Sequence, residues 1–330
     1  MIGADGQSRI RRARVVVLGC GALGTVAAEL LARAGVGWLR LIDRDIVERS
    51  NLQRQSLFDE QDVGEARAKA VAAARRLSSI NSTITIEPIV ADVTPRNIER
   101  LCLEPRPVVV VDGTDNAETR YLLNDVCVKH GVTWVYGGAV GTQGRVMPVR
   151  PNVGPCLRCI FSEPPAPGSL DTCDTAGVLG TLTATVAAMQ AATALRLILN
   201  APQHDDALVS IDGWTLRSRA VSLRDARRTD CTCCAARRFE FLDRVADNAV
   251  RMCGRSTVQL TLGDTAGWTE NLLARLRSVG TVQAGMQLTH FEPSGEPGVK
   301  LTLFEDGRVL VHGVTDVSAA RSLVARYLGI

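Results

Sequence analysis

A glycine-rich turn that follows a short apolar run constrains this chain more than any other feature. Residues 14–24 read RVVVLGCGALG, and the apolar residues at the start predict a strand that is buried on both faces. Gly19, Gly21 and Gly24 allow a tight turn and bring the backbone close to a phosphate at a helix N-terminus. The next apolar run ends at Asp43, where a carboxylate can accept hydrogen bonds from ribose hydroxyls. The pattern predicts a nucleotide-binding β-α-β unit, and an NAD-dependent oxidoreductase remains one open interpretation.

Further apolar runs continue this pattern along the chain. Residues 84–86, 108–111 and 133–136 predict strands, and helical patterns separate them, one of them over residues 65–77. Strands that alternate with helices indicate an α/β fold with a doubly wound, mostly parallel, Rossmann-like sheet.

Acidic side chains follow two of these predicted strands. Asp43 and Asp45 come after the second strand, and Asp112 and Asp115 come after the fourth. Ligands of doubly wound sheets bind at the carboxyl ends of the strands, so we expect these carboxylates to converge on the nucleotide.

The length of 330 residues is sufficient for one large domain and one small domain. We predict a nucleotide-binding domain over residues 1–242, a linker over 243–255 and a small α+β domain over 256–330. The last of these carries no cluster of chemically reactive groups, so we expect it to serve partner recognition or packing.

The charge balance and the N-terminus exclude several classes of partner. The 38 basic and 35 acidic residues nearly cancel, which gives no indication of a nucleic-acid partner. The first residues lack the apolar core of a signal peptide, so we expect a cytoplasmic protein. Residues 177–199 are apolar enough to resemble a membrane span, but polar residues such as Gln190 and Arg196 interrupt them. We therefore expect a helix buried in the core or in a subunit interface, and no membrane contact.

Ten cysteines in a cytosolic chain favour metal or thiol chemistry over disulfides. Cys156 with Cys159 and Cys231 with Cys234 form two CxxC pairs, and Cys233 is then a spare thiol. A single pair could be a redox site, whereas two pairs are typical of a tetrahedral structural zinc. A site with four protein ligands would fix the long crossover connection to the sheet. It would leave no open coordination position on the metal for catalysis.

The loops after the strands suit ATP better than NAD. If AMP is transferred to a carboxylate, no general base is needed, and catalysis is mostly positioning and electrostatics. Arg54 and Lys69 supply cations for the phosphates, and Asp115 supplies a carboxylate for magnesium. A dehydrogenase would need an acid or base beside the nicotinamide, and we find no such group in the sequence.

The motifs in combination resemble the ThiF/MoeB/HesA family, the bacterial relatives of ubiquitin-activating enzymes. The resemblance covers about residues 7–242. Its matching segments are residues 19–24, 43–45, 50–55, Gly64 with Lys69, residues 112–116, the two CxxC pairs and residues 173–180.

The resemblance implies a role for each matching residue. The glycine loop and Asp43 would hold the adenosine half of ATP, Asn51, Arg54 and Lys69 would face the phosphates, and Asp115 would bind magnesium. Catalysis would rest on Arg54, Lys69, Asp115 and Cys173. The implied nucleotide-binding residues are Gly19, Gly21, Ala22, Gly24, Asp43, Asp45, Ser50, Asn51, Arg54, Gln55, Lys69, Asp115 and Asn116.

The resemblance also implies a reaction and partners. Family members adenylate the C-terminal Gly-Gly carboxylate of a small ubiquitin-like protein, commonly a sulfur carrier, and they are homodimers. In some relatives a cysteine at the position of Cys173 takes the activated carboxylate as a thioester or acyl-persulfide. A sulfur-donor protein would then be a further partner.

Two departures from the family pattern leave an alternative open. Ala22 stands where relatives usually have a third glycine. Relatives also carry an arginine-containing segment upstream of the first residues seen here, for which Arg9, Arg11 or Arg12 are the candidate replacements. The alternative is a non-catalytic scaffold that binds a nucleotide or a ubiquitin-like protein.

Overall fold

The structure, a computed structural model, describes residues 2–165, 177–200, 206–244, 249–251, 257–262, 270–285, 288–304 and 306–329. The chain divides into two compact units, Met1–Val245 and Ala246–Ile330.

The larger unit is built on an eight-stranded sheet in the order β3-β2-β1-β4-β5-β6-β7-β8. Its strands are β1 (Arg14–Leu18), β2 (Trp38–Asp43), β3 (Thr85–Val90), β4 (Val109–Asp112), β5 (Thr133–Val140), β6 (Gln143–Val149), β7 (Ala207–Asp212) and β8 (Arg217–Ser222).

The sheet is mixed, where the sequence predicted a mostly parallel one. Strands β3, β2, β1, β4 and β5 are parallel to one another, and β6, β7 and β8 continue the sheet in antiparallel pairs. The reason is the short connection between β5 and β6, which spans only Gly141 and Thr142. A turn of this length can join antiparallel neighbours, whereas a parallel pair requires a crossover of about a dozen residues or more.

Helices cover both faces of this sheet. They are α1 (Gly3–Arg12), α2 (Ala22–Arg33), α3 (Glu60–Gly64), α4 (Lys69–Ile80), α5 (Ile98–Leu103), α6 (Ala117–His130), α7 (Leu157–Ile160) and α8 (Gly180–Leu199), with a 3-10 turn at Arg49–Asn51.

The side chains of β1 pack into two hydrophobic cores, one on each face of the sheet. Val15 and Val17 pack in the cluster that contains α2, α4 and α8, while Val16 and Leu18 pack in the cluster that contains α5 and α6. Successive side chains of a strand point to opposite faces, so an uninterrupted apolar run is what a doubly covered strand requires.

Helix α4 begins at Lys69, four residues later than the sequence pattern indicated. Ala66 has a left-handed backbone with φ of +47°, which ends the preceding helical segment. Ala68 pairs with Ile46 in an antiparallel bridge, so this stretch runs alongside the residues that follow β2. Lys69 is therefore the first residue of a helix.

Helix α8 is the apolar segment expected to be buried. Among the helices that the structure describes, it is the one long and apolar enough to cross a membrane by length and composition. It packs against α2 on one side and against β4, β5 and β6 of the sheet. Its contacts are those of a core helix of the larger unit.

In its described residues the smaller unit is an antiparallel sheet with two helices, and its strand order is β11-β12-β13-β14-β10-β9. Its elements are β9 (Ala249–Arg251), β10 (Thr257–Thr261), α9 (Glu270–Arg277), β11 (Gly280–Ala284), β12 (Leu288–Pro293), β13 (Lys300–Phe304), β14 (Arg308–His312) and α10 (Val317–Leu328). Strand β9 lies inside the segment 243–255 that we expected to be a linker, and it pairs with β10. The first strand of this unit thus begins earlier than the sequence pattern indicated.

Candidate functional site

The glycine loop lies between β1 and α2 and packs against the end of β4. Gly19 has φ of +92°, a conformation that only glycine adopts without strain. A Cβ at Gly24 or at Gly113 would overlap the carbonyl oxygen of Gly19. Ala22 is the first residue of α2, so the missing third glycine lies at a position with ordinary helical geometry. The turn and the close packing that the glycines predicted are both present.

Asp43 fastens the glycine loop to the end of β2. One carboxylate oxygen accepts a hydrogen bond from the backbone N–H of Cys20 (2.6 Å), and the other accepts from the N–H of Asp45 (2.7 Å). An ionised carboxylate has about four acceptor positions, so lone pairs remain for ribose hydroxyls. The ribose contact stays a prediction, while the loop-fastening role is a finding of the structure.

Lys69 brings a buried cation to the same edge of the sheet. Its Nζ lies 3.1 Å from Oδ2 of Asp45, and its backbone N–H donates to the carbonyl of Asp45. Burial opposes the ammonium charge, but the carboxylates of Asp45 and Asp43 outweigh it and raise the pKa of Lys69 above its ordinary value. Asp115 adds to this rise from the end of β4. Lys69 therefore stays protonated and lies within electrostatic reach of the candidate magnesium ligand.

The loop after β2 is stabilised by its own polar side chains. Asn51 is buried, and its side-chain oxygen accepts from the N–H of Glu48 (3.0 Å). Its contact with a phosphate stays a prediction. Arg54 donates to the carbonyl of Ser50 (2.9 Å), and its Cβ lies near the first residue of α8. Ser50 itself is exposed. The loop geometry thus depends on Asn51 and Arg54 before any ligand binds.

Gln55 of this loop lies beside the glycine turn. Its side-chain nitrogen lies 4.0 Å from the position that a Cβ of Gly21 would occupy. The residue is 4% exposed, and within the described residues its Oε1 atom has no hydrogen-bond partner. Buried polar atoms are normally paired, so this oxygen is an acceptor available at the edge of the nucleotide site.

Asp115 and Asn116 lie after β4, where the sequence predicted them, but they differ in role. Asp115 is exposed and lies three residues after the end of β4. Asn116 is the N-cap of α6, and its side-chain oxygen accepts from the N–H of Thr119 (2.8 Å). Capping satisfies one of the free N–H groups at the start of a helix. Asn116 therefore orients the helix that follows Asp115, and its contact with a nucleotide stays a prediction.

Four cysteine sulfurs form a cluster beside the middle of α6. The Sγ atoms of Cys156, Cys159, Cys231 and Cys234 all lie within 4.8 Å of one another. The separations are 3.6 Å for Cys156 and Cys231, 3.4 Å for Cys159 and Cys234, and 3.9 Å for Cys156 and Cys159. A tetrahedral site with Zn–S bonds of about 2.3 Å has sulfur–sulfur edges of roughly 3.8 Å, so the four residues fit a zinc ion.

Comparisons with known proteins agree with this geometry. The model of the ThiF family matches residues 1–233. The chain belongs to the ThiF family. A sulfur carrier protein ThiS adenylyltransferase from Bacillus subtilis is 39% identical over 333 residues, covering 99% of this chain and 96% of that protein. A SAMP-activating enzyme E1 from Haloferax volcanii is 41% identical over 71% of this chain and 84% of its own length.

A solved structure shows the same fold at greater sequence distance. E. coli MccB with ATP has a TM-score of 0.60 and 22% identity, and the match covers 69% of each chain. With the family match, the named relatives confirm that this ThiF-family protein is an adenylyltransferase.

Two site residues of the ThiF-family chain have no counterpart in the sequence predictions. Arg120 donates from Nε to Asp112 (2.7 Å) and from Nη2 to the carbonyl of Thr114 (2.7 Å), so it holds the turn that leads to Asp115. Gln190 of α8 donates to the carbonyl of Asp112 (2.7 Å) from a fully buried position. The signal for Gln190 was its place as a polar residue in an apolar run.

The remaining predicted residues are Cys173 and the arginines near the N-terminus. Cys173 lies outside the described residues, so its position relative to the nucleotide site stays a prediction. Of the arginines considered as replacements for the upstream segment, Arg9 donates to the carbonyl of Leu199 at the end of α8 (2.8 Å), and Arg12 donates to Ser8. Arg9 is thus used for docking α1 against the core helix of its own chain.

Proposed function

We propose that this ThiF-family protein uses Mg-ATP to adenylate the C-terminal carboxylate of a small ubiquitin-like or sulfur-carrier protein that ends in Gly-Gly. A carboxylate oxygen attacks the α-phosphorus, the bond from that phosphorus to the bridging oxygen breaks, and pyrophosphate leaves with its electron pair. The observation that carries the proposal is the convergence of Lys69, Asp45 and Asp115 on the glycine loop. The relatives named as sulfur-carrier adenylyltransferases support the substrate class.

The chain's own side chains supply positioning and charge for this reaction. An ionised carboxylate needs no general base, so the main barrier is its repulsion from the triphosphate. Lys69 is held protonated by Asp45, and Arg54 lies on the loop that borders the glycine turn. Cations fixed before the reaction stabilise charge that develops on pyrophosphate without reorganising at that moment. Fixed cations of this kind are suited to a reaction at phosphate, whereas hydride transfer to NAD does not require them.

Asp115 is the residue that would hold magnesium. Its carboxylate is exposed at the end of β4, and carboxylate oxygens together with phosphate oxygens are the ligands that magnesium prefers. The ion would neutralise phosphate charge. Arg120 and Gln190 keep the turn before Asp115 in place, so the ligand is pre-positioned.

We propose that the four clustered cysteines hold a structural zinc. With four protein ligands the site has no open position, so zinc would stabilise the fold and take no part in the chemistry. Thiolates of this kind persist in a reducing compartment, which supports a cytoplasmic location. By the family resemblance we also propose a homodimer, and a sulfur-donor protein as a later partner.

The proposed reaction is tested by ATP–pyrophosphate exchange. Each small protein of the same genome that ends in Gly-Gly is mixed with enzyme, Mg-ATP and labelled pyrophosphate. We expect label to enter ATP only when one such carrier is present, because exchange requires a reversible adenylate. The same carrier without its two final glycines is the control, and it should support no exchange. If no Gly-Gly protein supports exchange, the proposed substrate is wrong, and the result favours the scaffold alternative.

Cys173→Ala separates adenylation from any later thiol step. We expect the variant to retain carrier-dependent exchange at the wild-type rate, because formation of the adenylate precedes attack by sulfur. A covalent enzyme–carrier species, trapped under non-reducing conditions, should be lost. Abolished exchange in a folded Cys173→Ala protein would show that the order of the steps is wrong.

A further inference from the structure

Helix α6 links the nucleotide edge to the cysteine cluster. Its N-cap, Asn116, directly follows Asp115, and Arg120 in its second turn holds the loop before it. One turn further along, the helix presents Asn124 toward the two cysteine knuckles, the short turns at residues 156–159 and 231–234. The nucleotide edge is thus attached to the start of α6, and the cysteine cluster is attached to its middle turns.

The side chain of Asn124 contacts both knuckles at once. Its Oδ1 accepts a hydrogen bond from the backbone N–H of Leu157 (2.9 Å), which lies between Cys156 and Cys159. Its Nδ2 donates to Sγ of Cys233 (3.3 Å) in the other knuckle. These partners are 33 and 109 residues away in the sequence, and Asn124 is fully buried. A single amide therefore fixes two distant segments relative to each other.

Neighbouring residues on α6 hold the same region. The hydroxyl of Tyr121 donates to the carbonyl of Phe161, just after the first knuckle (2.8 Å). A carboxylate oxygen of Asp125 accepts from the N–H of Phe241, which follows the second knuckle (2.9 Å). These contacts attach the flanks of the knuckles to α6, and the carboxylate of Asp125 also interacts with the thiol of Cys233. Asn124 contacts residues inside both knuckles.

We propose that Asn124 is the positioning residue of the zinc centre. By holding Leu157 and Cys233 it brings the two cysteine pairs to ligand spacing before the metal binds. The inference rests on the zinc site proposed above, and zinc binding is its readout, independent of ATP and of the carrier. Residues that orient metal ligands from the outer shell typically contribute about 10–100-fold to metal affinity.

The test is zinc affinity of the full-length, reduced protein, measured by competition with a chromophoric chelator. Asn124→Leu keeps the branched shape of the side chain and removes both hydrogen bonds, and we expect it to weaken zinc affinity about 10–100-fold. Cys233→Ala removes one of the two Asn124 bonds, together with the contacts of Cys233 to Asp125 and Cys156. It leaves the four ligands in place, so it should bind one zinc with a smaller loss. Val126→Ala is the matched control, a buried apolar change on the same helix, and its zinc affinity should equal that of the wild type.

The outcomes separate this inference from the proposed function. Wild-type affinity in Asn124→Leu would overturn it, as would complete loss of zinc in folded Cys233→Ala, because Cys233 would then be a ligand. If Asn124→Leu does not fold, Cys233→Ala decides alone, and wild-type affinity in that variant overturns the inference. A wild-type protein that binds no zinc overturns it together with the zinc site but leaves carrier adenylation standing.

Discussion

Replacing Arg54 with alanine is expected to lower carrier-dependent ATP–pyrophosphate exchange by about 10²-fold or more, the scale seen when one electrostatic stabiliser is removed from an active site. The reason is that the guanidinium faces charge that grows as pyrophosphate leaves. Arg54 is anchored by the carbonyl of Ser50, so its position is set before the substrate binds. Exchange rates at saturating ATP and carrier measure the effect, and Asp115→Ala should produce a loss of similar size through the loss of magnesium.

The matched control for this prediction lies on the same loop. Arg49 forms an exposed ion pair with Glu60, and both side chains are 75% exposed. Exposed pairs of this kind contribute little to stability, so Arg49→Ala should exchange at nearly the wild-type rate. Equal losses in Arg49→Ala and Arg54→Ala would mean that the loop tolerates no change in charge, and the specific role of Arg54 would be wrong.

Cys156→Ser is expected to have the largest effect on stability. The four-thiolate site loses one ligand, and the free energy of zinc binding is then no longer available to the folded state. Loss of a structural metal is among the few changes that cost about 4–5 kcal/mol or more. For a domain of this size that corresponds to a fall in melting temperature of roughly 10–20 °C. Thermal unfolding with parallel zinc analysis measures both quantities.

Cys102→Ala provides the control for this second prediction. Cys102 is fully buried in the cluster of apolar residues around α5 and α6, and it is not one of the four candidate ligands. Its substitution removes one buried sulfur and should leave the zinc content at one per chain. A Cys156→Ser protein with wild-type zinc content and melting temperature would contradict the proposed site.

Local patterns in the sequence predicted the parts of the site that lie close together along the chain. The glycine turn, the strand before it and the carboxylate of Asp43 are all encoded within residues 14–43, where spacing and residue type decide the geometry. The two CxxC pairs could also be recognised from the sequence, because the two cysteines of each pair lie within one short turn. The structure places all of these where the patterns indicated.

One of the residues that the sequence did not reveal, Gln190, acts over a long distance along the chain. Gln190 reaches Asp112 across 78 residues, and no local pattern marks that contact. The sequence predicted nucleotide binding for Asn116 and Asp43. The structure shows that both side chains accept hydrogen bonds from backbone N–H groups of the protein itself. The antiparallel half of the sheet depends on the short turn after β5, which a pattern of alternating strands and helices does not predict.

The most direct measurement is the intact mass of the carrier after reaction. Enzyme, Mg-ATP and the Gly-Gly protein that supports exchange are incubated with pyrophosphatase, which removes the product that would reverse the reaction, and the mixture is quenched in acid. The carrier is expected to gain the mass of one AMP group at its C-terminal carboxylate, and the carrier without its two final glycines is expected to gain none. An unmodified carrier beside folded, ATP-bound enzyme would contradict adenylation of that carboxylate.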